Sequence, residues 1–160
     1  MTPIEIALPD LAATEQLAAR IAALARPGDA ILLAGPLGAG KSAFARAFLR
    51  AATGAPRLDV PSPSFTLVQS YDTRIGMVHH FDLWRLEGHG GLAELGWDDA
   101  RADIVLVEWP ERLGPAWPAD ALAISLAFEV GDAQPATPGD TGNARRATMA
   151  GWPDRIECLA

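Results

Sequence analysis

A chain of 160 residues, 49% hydrophobic and 21% charged, is long enough for one folded domain with a substantial core and too short for two. It carries 13 cationic and 20 acidic side chains, a formal net charge of -7. Sequence-blind nucleic-acid binding needs many cations to neutralise phosphates, so that occupation is not expected. Lys41 is the sole lysine; the other cations are arginine. Cys158 is alone, which excludes an intramolecular disulfide and fits a reducing cytoplasm. The first residues lack the profile of a secretory signal, and no run is apolar over the length a bilayer demands, so a cytoplasmic chain without membrane contact is expected.

Leu11, Thr14, Leu17, Ala18, Ile21 and Leu24 recur at three- and four-residue spacing and predict an amphipathic helix over residues 10–26, with Asp10 as N-cap and Pro27-Gly28-Asp29 as the stop. Residues 30–34 form an apolar run bounded by turn residues, the pattern of a strand buried on both faces of a parallel sheet. A helix over residues 41–53 follows, ended by Gly54. Residues 65–68 and 77–81 are β-rich and separated by a polar turn around Asp72-Thr73-Arg74 with Gly76, which predicts an antiparallel hairpin. A short helix is expected over residues 91–95, a second buried strand over 104–107 and another strand over 122–130. Residues 131–143, rich in Gly, Pro, Thr and Asp, read as a mobile loop. A last strand over 144–149 and a short helix over 152–159 complete the chain.

Gly35-Pro36-Leu37-Gly38-Ala39-Gly40-Lys41-Ser42 satisfies G-x-x-x-x-G-K-[ST] and lies between a predicted buried strand and a predicted helix. Glycines let successive backbone N–H groups converge on phosphate oxygens, and the helix N-terminus adds positive potential at the same place. In such a P-loop Lys41 reaches the β- and γ-phosphates, and Ser42 places its hydroxyl on Mg²⁺. The fold expected is α/β: a single P-loop NTPase-like domain over residues 1–160, with a mostly parallel central sheet, helices on both faces and an antiparallel hairpin.

A phosphate loop needs a carboxylate for its metal, and Glu108 follows the buried run 104–107, where a strand-end acid of the Walker B kind belongs. Asp82 ends the run His79-His80-Phe81-Asp82, with His80 and Asp82 on one strand face and His79 and Phe81 on the other. Asp82 is a candidate for orienting the attacking water or a metal-bound water; a turn or capping aspartate is the plain alternative. His79, His80 and His89 lack zinc-ligand spacing and have only a remote cysteine. Trp84, Trp97 and Trp109 cluster after the acidic positions; core packing is their ordinary role, and Trp109 is also placed to lie beside a nucleotide or a partner.

These residues resemble the TsaE family, small P-loop ATPases of bacterial tRNA threonylcarbamoyladenosine synthesis. The phosphate loop is similar to G-x-L-G-A-G-K-[ST], residues 62–68 to S-P-T-[FY]-T-L-V, residues 80–86 to H-F-D-L-Y-R-L, and residues 107–110 to [VI]-E-W-P. The resemblance implies an ATP-binding, weakly hydrolysing, Mg²⁺-dependent protein acting with the partners TsaD and TsaB, where TsaD carries the transfer to adenosine 37 and the ATPase supports repeated turnover. It implies that Leu37, Gly38, Ala39, Gly40, Lys41 and Ser42 bind phosphates, and that Ser42 and Glu108 coordinate the metal. The same resemblance implies that Lys41, Asp82 and Glu108 carry the reaction, that Trp109 sits beside the catalytic acid, that residues 62–66 respond to nucleotide, and that Leu11 and Thr14 lie near adenine. Ala43, Ser64 and Trp84 depart from the family pattern; Ala43 removes a hydroxyl otherwise available to the α-phosphate.

A GTPase of the N-K-x-D kind is excluded, because Asn143 and Lys41 are the only residues of their types. A small-molecule P-loop kinase is the main enzyme rival, with Arg145 and Arg146 beside the 131–143 segment as candidate lid arginines. A regulatory module whose output is docking rather than hydrolysis is the other alternative.

Overall fold

The computed structural model describes residues 2–129 and 144–160. Its regular elements are β1 (Ile4–Leu8), α1 (Leu11–Leu24), β2 (Ala30–Ala34), α2 (Lys41–Thr53), β3 (Val68–Thr73), β4 (Gly76–Asp82), α3 (Trp97–Ala100), β5 (Ile104–Glu108), β6 (Leu122–Phe128) and β7 (Arg145–Ala150). The strands form one sheet in the order β1-β7-β6-β2-β5-β4-β3. The central strands β6, β2, β5 and β4 are parallel, and β3, β7 and β1 join antiparallel at the edges.

Side chains of successive strand residues leave on opposite faces, which divides the core in two. Ile31 and Leu33 of β2, with Ile104 and Leu106 of β5, meet α1 and α2 through Leu17, Ile21, Phe44 and Phe48. Ala30 and Leu32, with Val105 and Val107, face Phe81, Leu92, Trp97 and Leu113. This two-sided burial is why both central strands are unbroken apolar runs. The second face is covered only by short pieces: α3 and the 3-10 turns His89–Leu95 and Pro110–Ala116. Thus both faces carry helical structure, but full-length helices occupy one of them.

The Asp10 side chain caps α1 by accepting from the Ala13 N–H at 2.8 Å, and β2 and α2 occupy the residues that the pattern predicts. The hairpin differs. Residues 65–67 are not strand, because Leu67 has a left-handed φ of 65° and its N–H donates to the Pro63 carbonyl at 2.7 Å, closing a turn. The first strand therefore begins at Val68 and runs through Thr73. The expected terminal helix shrinks to a 3-10 turn, Ile156–Leu159, after Trp152, whose φ is 49°. The short helix expected over 91–95 is part of the 3-10 turn from His89, and the expected strand over 122–130 ends at Phe128. The expected mobile loop, 131–143, lies outside the described residues. The edge strand β1, α3 and the Pro110–Ala116 turn are additional elements. Among the described residues no helix is long and apolar enough to cross a membrane.

Between β2 and α2 the chain must turn sharply against β6. Gly35 does so at φ 143°, with the Leu126 carbonyl oxygen where a Cβ would stand. Gly35→Ala should therefore destabilise the fold by about 2 kcal/mol or more, from backbone strain plus that collision. Urea denaturation measures it, and an unchanged midpoint would contradict this packing.

Candidate functional site

The phosphate loop leaves the C-terminal end of β2 and enters α2 at Gly40, which has φ 108° and no side-chain cap. The first amide groups of α2 are thus left to a ligand or solvent. The Lys41 ammonium folds back on the loop, donating to the Gly35 carbonyl at 2.5 Å and the Pro36 carbonyl at 2.9 Å. It also lies 3.9 Å from the Trp109 ring centroid, within cation–π range. Trp109 directly follows β5 at φ 60°, a rare conformation for so large a residue. Its ring in turn lies tilted against Trp84, the centroids 4.3 Å apart and the planes at 45°.

Register explains the acids. Glu108 is opposite Leu33 of β2 on one side and Asp82 of β4 on the other. Strand alternation turns Glu108 to the same face as Ile104 and Leu106, the face covered by α2. There its Oε1 accepts from the Ser42 hydroxyl at 2.9 Å, and its Oε2 meets His80 Nε2 at 2.7 Å. Asp82 is held by the Ser62 hydroxyl at 3.1 Å and by the Trp84 N–H at 3.1 Å; Ser62 is also within 3.0 Å of Ser64.

Leu37, Gly38, Gly40, Lys41, Ser42, Asp82, Glu108 and Trp109 line one cleft of about 280 Å³, together with Ser62, Ser64 and Trp84. Leu11 and Thr14 do not line it. They border an adjoining cavity with Gly38, Ala39, Gly40, Ala43 and Arg145. The two hollows share Gly38, Gly40 and Ala43. The residues fit a Mg²⁺–nucleotide: a hydroxyl and a carboxylate in contact suffice when phosphates and water supply the remaining ligands.

His80 belongs to this site. Its signals in the sequence were its place on the strand face of Asp82 and its position at the head of the 80–86 segment; neither pointed to Glu108 as its partner. His79 points to the opposite face, bonded to Ser70 at 2.7 Å and Asp103 at 2.9 Å. Trp97 also leaves the cluster to pack edge-on against Phe81, 5.1 Å away. Arg146 pairs with Glu5 and Glu129 at 3.0 and 2.7 Å and lines neither hollow. Arg145 lies over the Phe128 ring, 4.3 Å away, and reaches the Gly38 carbonyl at 3.3 Å.

A family model described as "Threonylcarbamoyl adenosine biosynthesis protein TsaE" matches residues 8–134. The chain belongs to the TsaE family. It is similar to the tRNA threonylcarbamoyladenosine biosynthesis protein TsaE of Bacillus subtilis, 34% identical over 115 residues, covering 71% of this chain and 70% of that protein. The TsaE proteins of Rickettsia felis and Rickettsia conorii are 37% and 36% identical over 99 residues, 61% of this chain. Those alignments span 57% and 56% of the two Rickettsia proteins' lengths. The crystal structure of Bacillus subtilis YdiB superposes with a TM-score of 0.73 at 26% identity, covering 99% of this chain and 91% of that one. The TsaE match thus takes in the phosphate loop, Asp82, Glu108 and Trp109, but not β7.

Burial pushes the Lys41 ammonium below its ordinary pKa of 10.5, against the opposing pull of Glu108, Glu111 and Asp82. A base whose folded pKa is depressed costs the folded state while protonated, and the cost fades as pH rises through that folded value. Relative to Lys41→Met, the wild type should gain stability as pH rises from neutral toward 10.5. Urea midpoints of the two proteins against pH test this; a constant difference would contradict it.

Proposed function

We propose that this chain is the ATP-binding and ATP-hydrolysing component of the tRNA threonylcarbamoyladenosine machinery, supporting turnover of a TsaD–TsaB transferase complex. The observation that carries the nucleotide reading is the convergence of a glycine-lined loop, the sole lysine and the Ser42–Glu108 pair at one cleft. Family membership supports the pathway.

In this reading the amides at the start of α2 and Lys41 hold the β- and γ-phosphates, Lys41 exchanging its loop carbonyls for phosphate oxygens. Ser42 and Glu108 would hold Mg²⁺, which when bound offsets the triphosphate charge. Asp82 faces the same cleft and would orient the attacking water, with Ser62 holding the carboxylate in place. Ser62 and Ser64 line the cleft, so nucleotide occupancy can be felt by the turn at residues 62–66. That turn leaves Phe65 exposed, near the exposed Trp84, and its ring lies under Arg85 at 4.6 Å. Ordering of this surface by ATP, docking on the partners and reset by hydrolysis make up the proposed cycle. Among the described residues no arginine lines the cleft, so hydrolysis is expected to be slow until a partner completes the site.

Reconstitution over many turnovers tests the role. With purified TsaD and TsaB, threonylcarbamoyladenosine should accumulate well beyond the amount of transferase only when this chain and ATP are present. Lys41→Ala should lose ATP binding and fail to support accumulation. Asp82→Ala should still bind ATP while its hydrolysis falls about 100-fold or more. Equal accumulation without the chain would refute the role, and wild-type ATP affinity in Lys41→Ala would refute the phosphate assignment.

A further inference from the structure

Glu108 is held from two sides, and only one of them belongs to the phosphate loop. Ser42 occupies Oε1, whereas Oε2 faces His80 Nε2 at 2.7 Å. His80 and Glu108 are each 1% exposed. The parallel register sets Asp82 opposite Glu108 and His80 opposite Leu106, so His80 sits one inward-facing position earlier on the neighbouring strand. Nδ1 of the ring is buried and has no partner among the described residues. The imidazole therefore makes a single polar contact here, and that contact is to the second oxygen of Glu108. Burying a ring with one unpaired nitrogen costs free energy that a leucine in the same space would not, so packing is a poor reason for a histidine at this position.

We propose that His80 is the positioning residue for the metal carboxylate: its Nε2–H donates to Oε2 of Glu108 and locks the carboxylate plane, so that Oε1 and the Ser42 hydroxyl are presented together to Mg²⁺. This rests on the reading that Ser42 and Glu108 hold that ion. A carboxylate tied at one oxygen rotates about its last bond, whereas one tied at both does not. The arrangement puts a proton on Nε2, facing an acceptor. Donors that orient a ligand in this way typically change metal affinity or activity by 10–100-fold.

The test is the Mg²⁺ dependence of ATP binding, followed by tryptophan fluorescence in wild type, His80→Leu and His80→Gln. All three should bind ATP alike in the presence of a chelator. The Mg²⁺ concentration giving half the metal-dependent response should rise about 10–100-fold in His80→Leu. It should return close to wild type in His80→Gln, whose amide donor can reach the same oxygen. An unchanged midpoint in His80→Leu, or equal impairment in both variants, overturns the role of His80 and leaves the nucleotide reading intact. Failure of the wild type to bind ATP at all overturns that reading and this proposal with it. Should His80→Leu not fold, ring ¹⁵N spectra of the wild type, assigned with His80→Gln, decide: a proton on Nε2 is the expected result, and an unprotonated Nε2 overturns the proposal.

Discussion

The site depends on the parallel pairing of β2 with β5, in which Leu33 lies opposite Glu108. That register brings the strand leading into the glycine loop and the strand ending in Glu108 to the same edge. The side-chain period of a strand is two, so a slip of one residue would turn Glu108 away from α2 and part it from Ser42. The apolar alternation on both faces of β5 opposes such a slip, since Ile104 and Leu106 would exchange layers with Val105 and Val107. The hydrophobic core thus sets the 2.9 Å contact between Ser42 and Glu108.

The cleft combines one ammonium with a surplus of acid. Lys41 is the chain's only lysine, and Glu108, Glu111 and Asp82 are near enough to act on it. A triphosphate entering this space meets carboxylates as well as donors. In the proposed reading the uncapped start of α2, the loop amides and a divalent cation held by Ser42 and Glu108 would offset that repulsion. The net charge of -7 fits the proposal that contact with RNA is left to partners.

Local chemistry was legible where it acts over a few residues. The glycine loop, the two buried runs and the Asp10 cap each follow from neighbouring side chains, and β2 and α2 lie where those patterns put them. Residues 65–67 misled because β-propensity says nothing of the left-handed backbone at Leu67, which the Pro63 carbonyl stabilises. The edge strand β1 is five residues long and takes its stability from pairing with β7, from the far end of the chain. The contact of His80 with Glu108 could not be read for a related reason: its partner is 28 positions away, and only the β4–β5 register brings the two together. Likewise, the separation of Leu11 and Thr14 from the phosphate cleft is a matter of how α1 packs beside the loop.

The central claim is that this cleft is built for the β- and γ-phosphates. Comparing equilibrium binding of ATP and AMP in Mg²⁺ by calorimetry tests it most directly. Loss of two charge-assisted contacts of about 1.5 kcal/mol each predicts AMP binding at least about 100-fold weaker than ATP. Equal affinities for the two nucleotides would contradict the account.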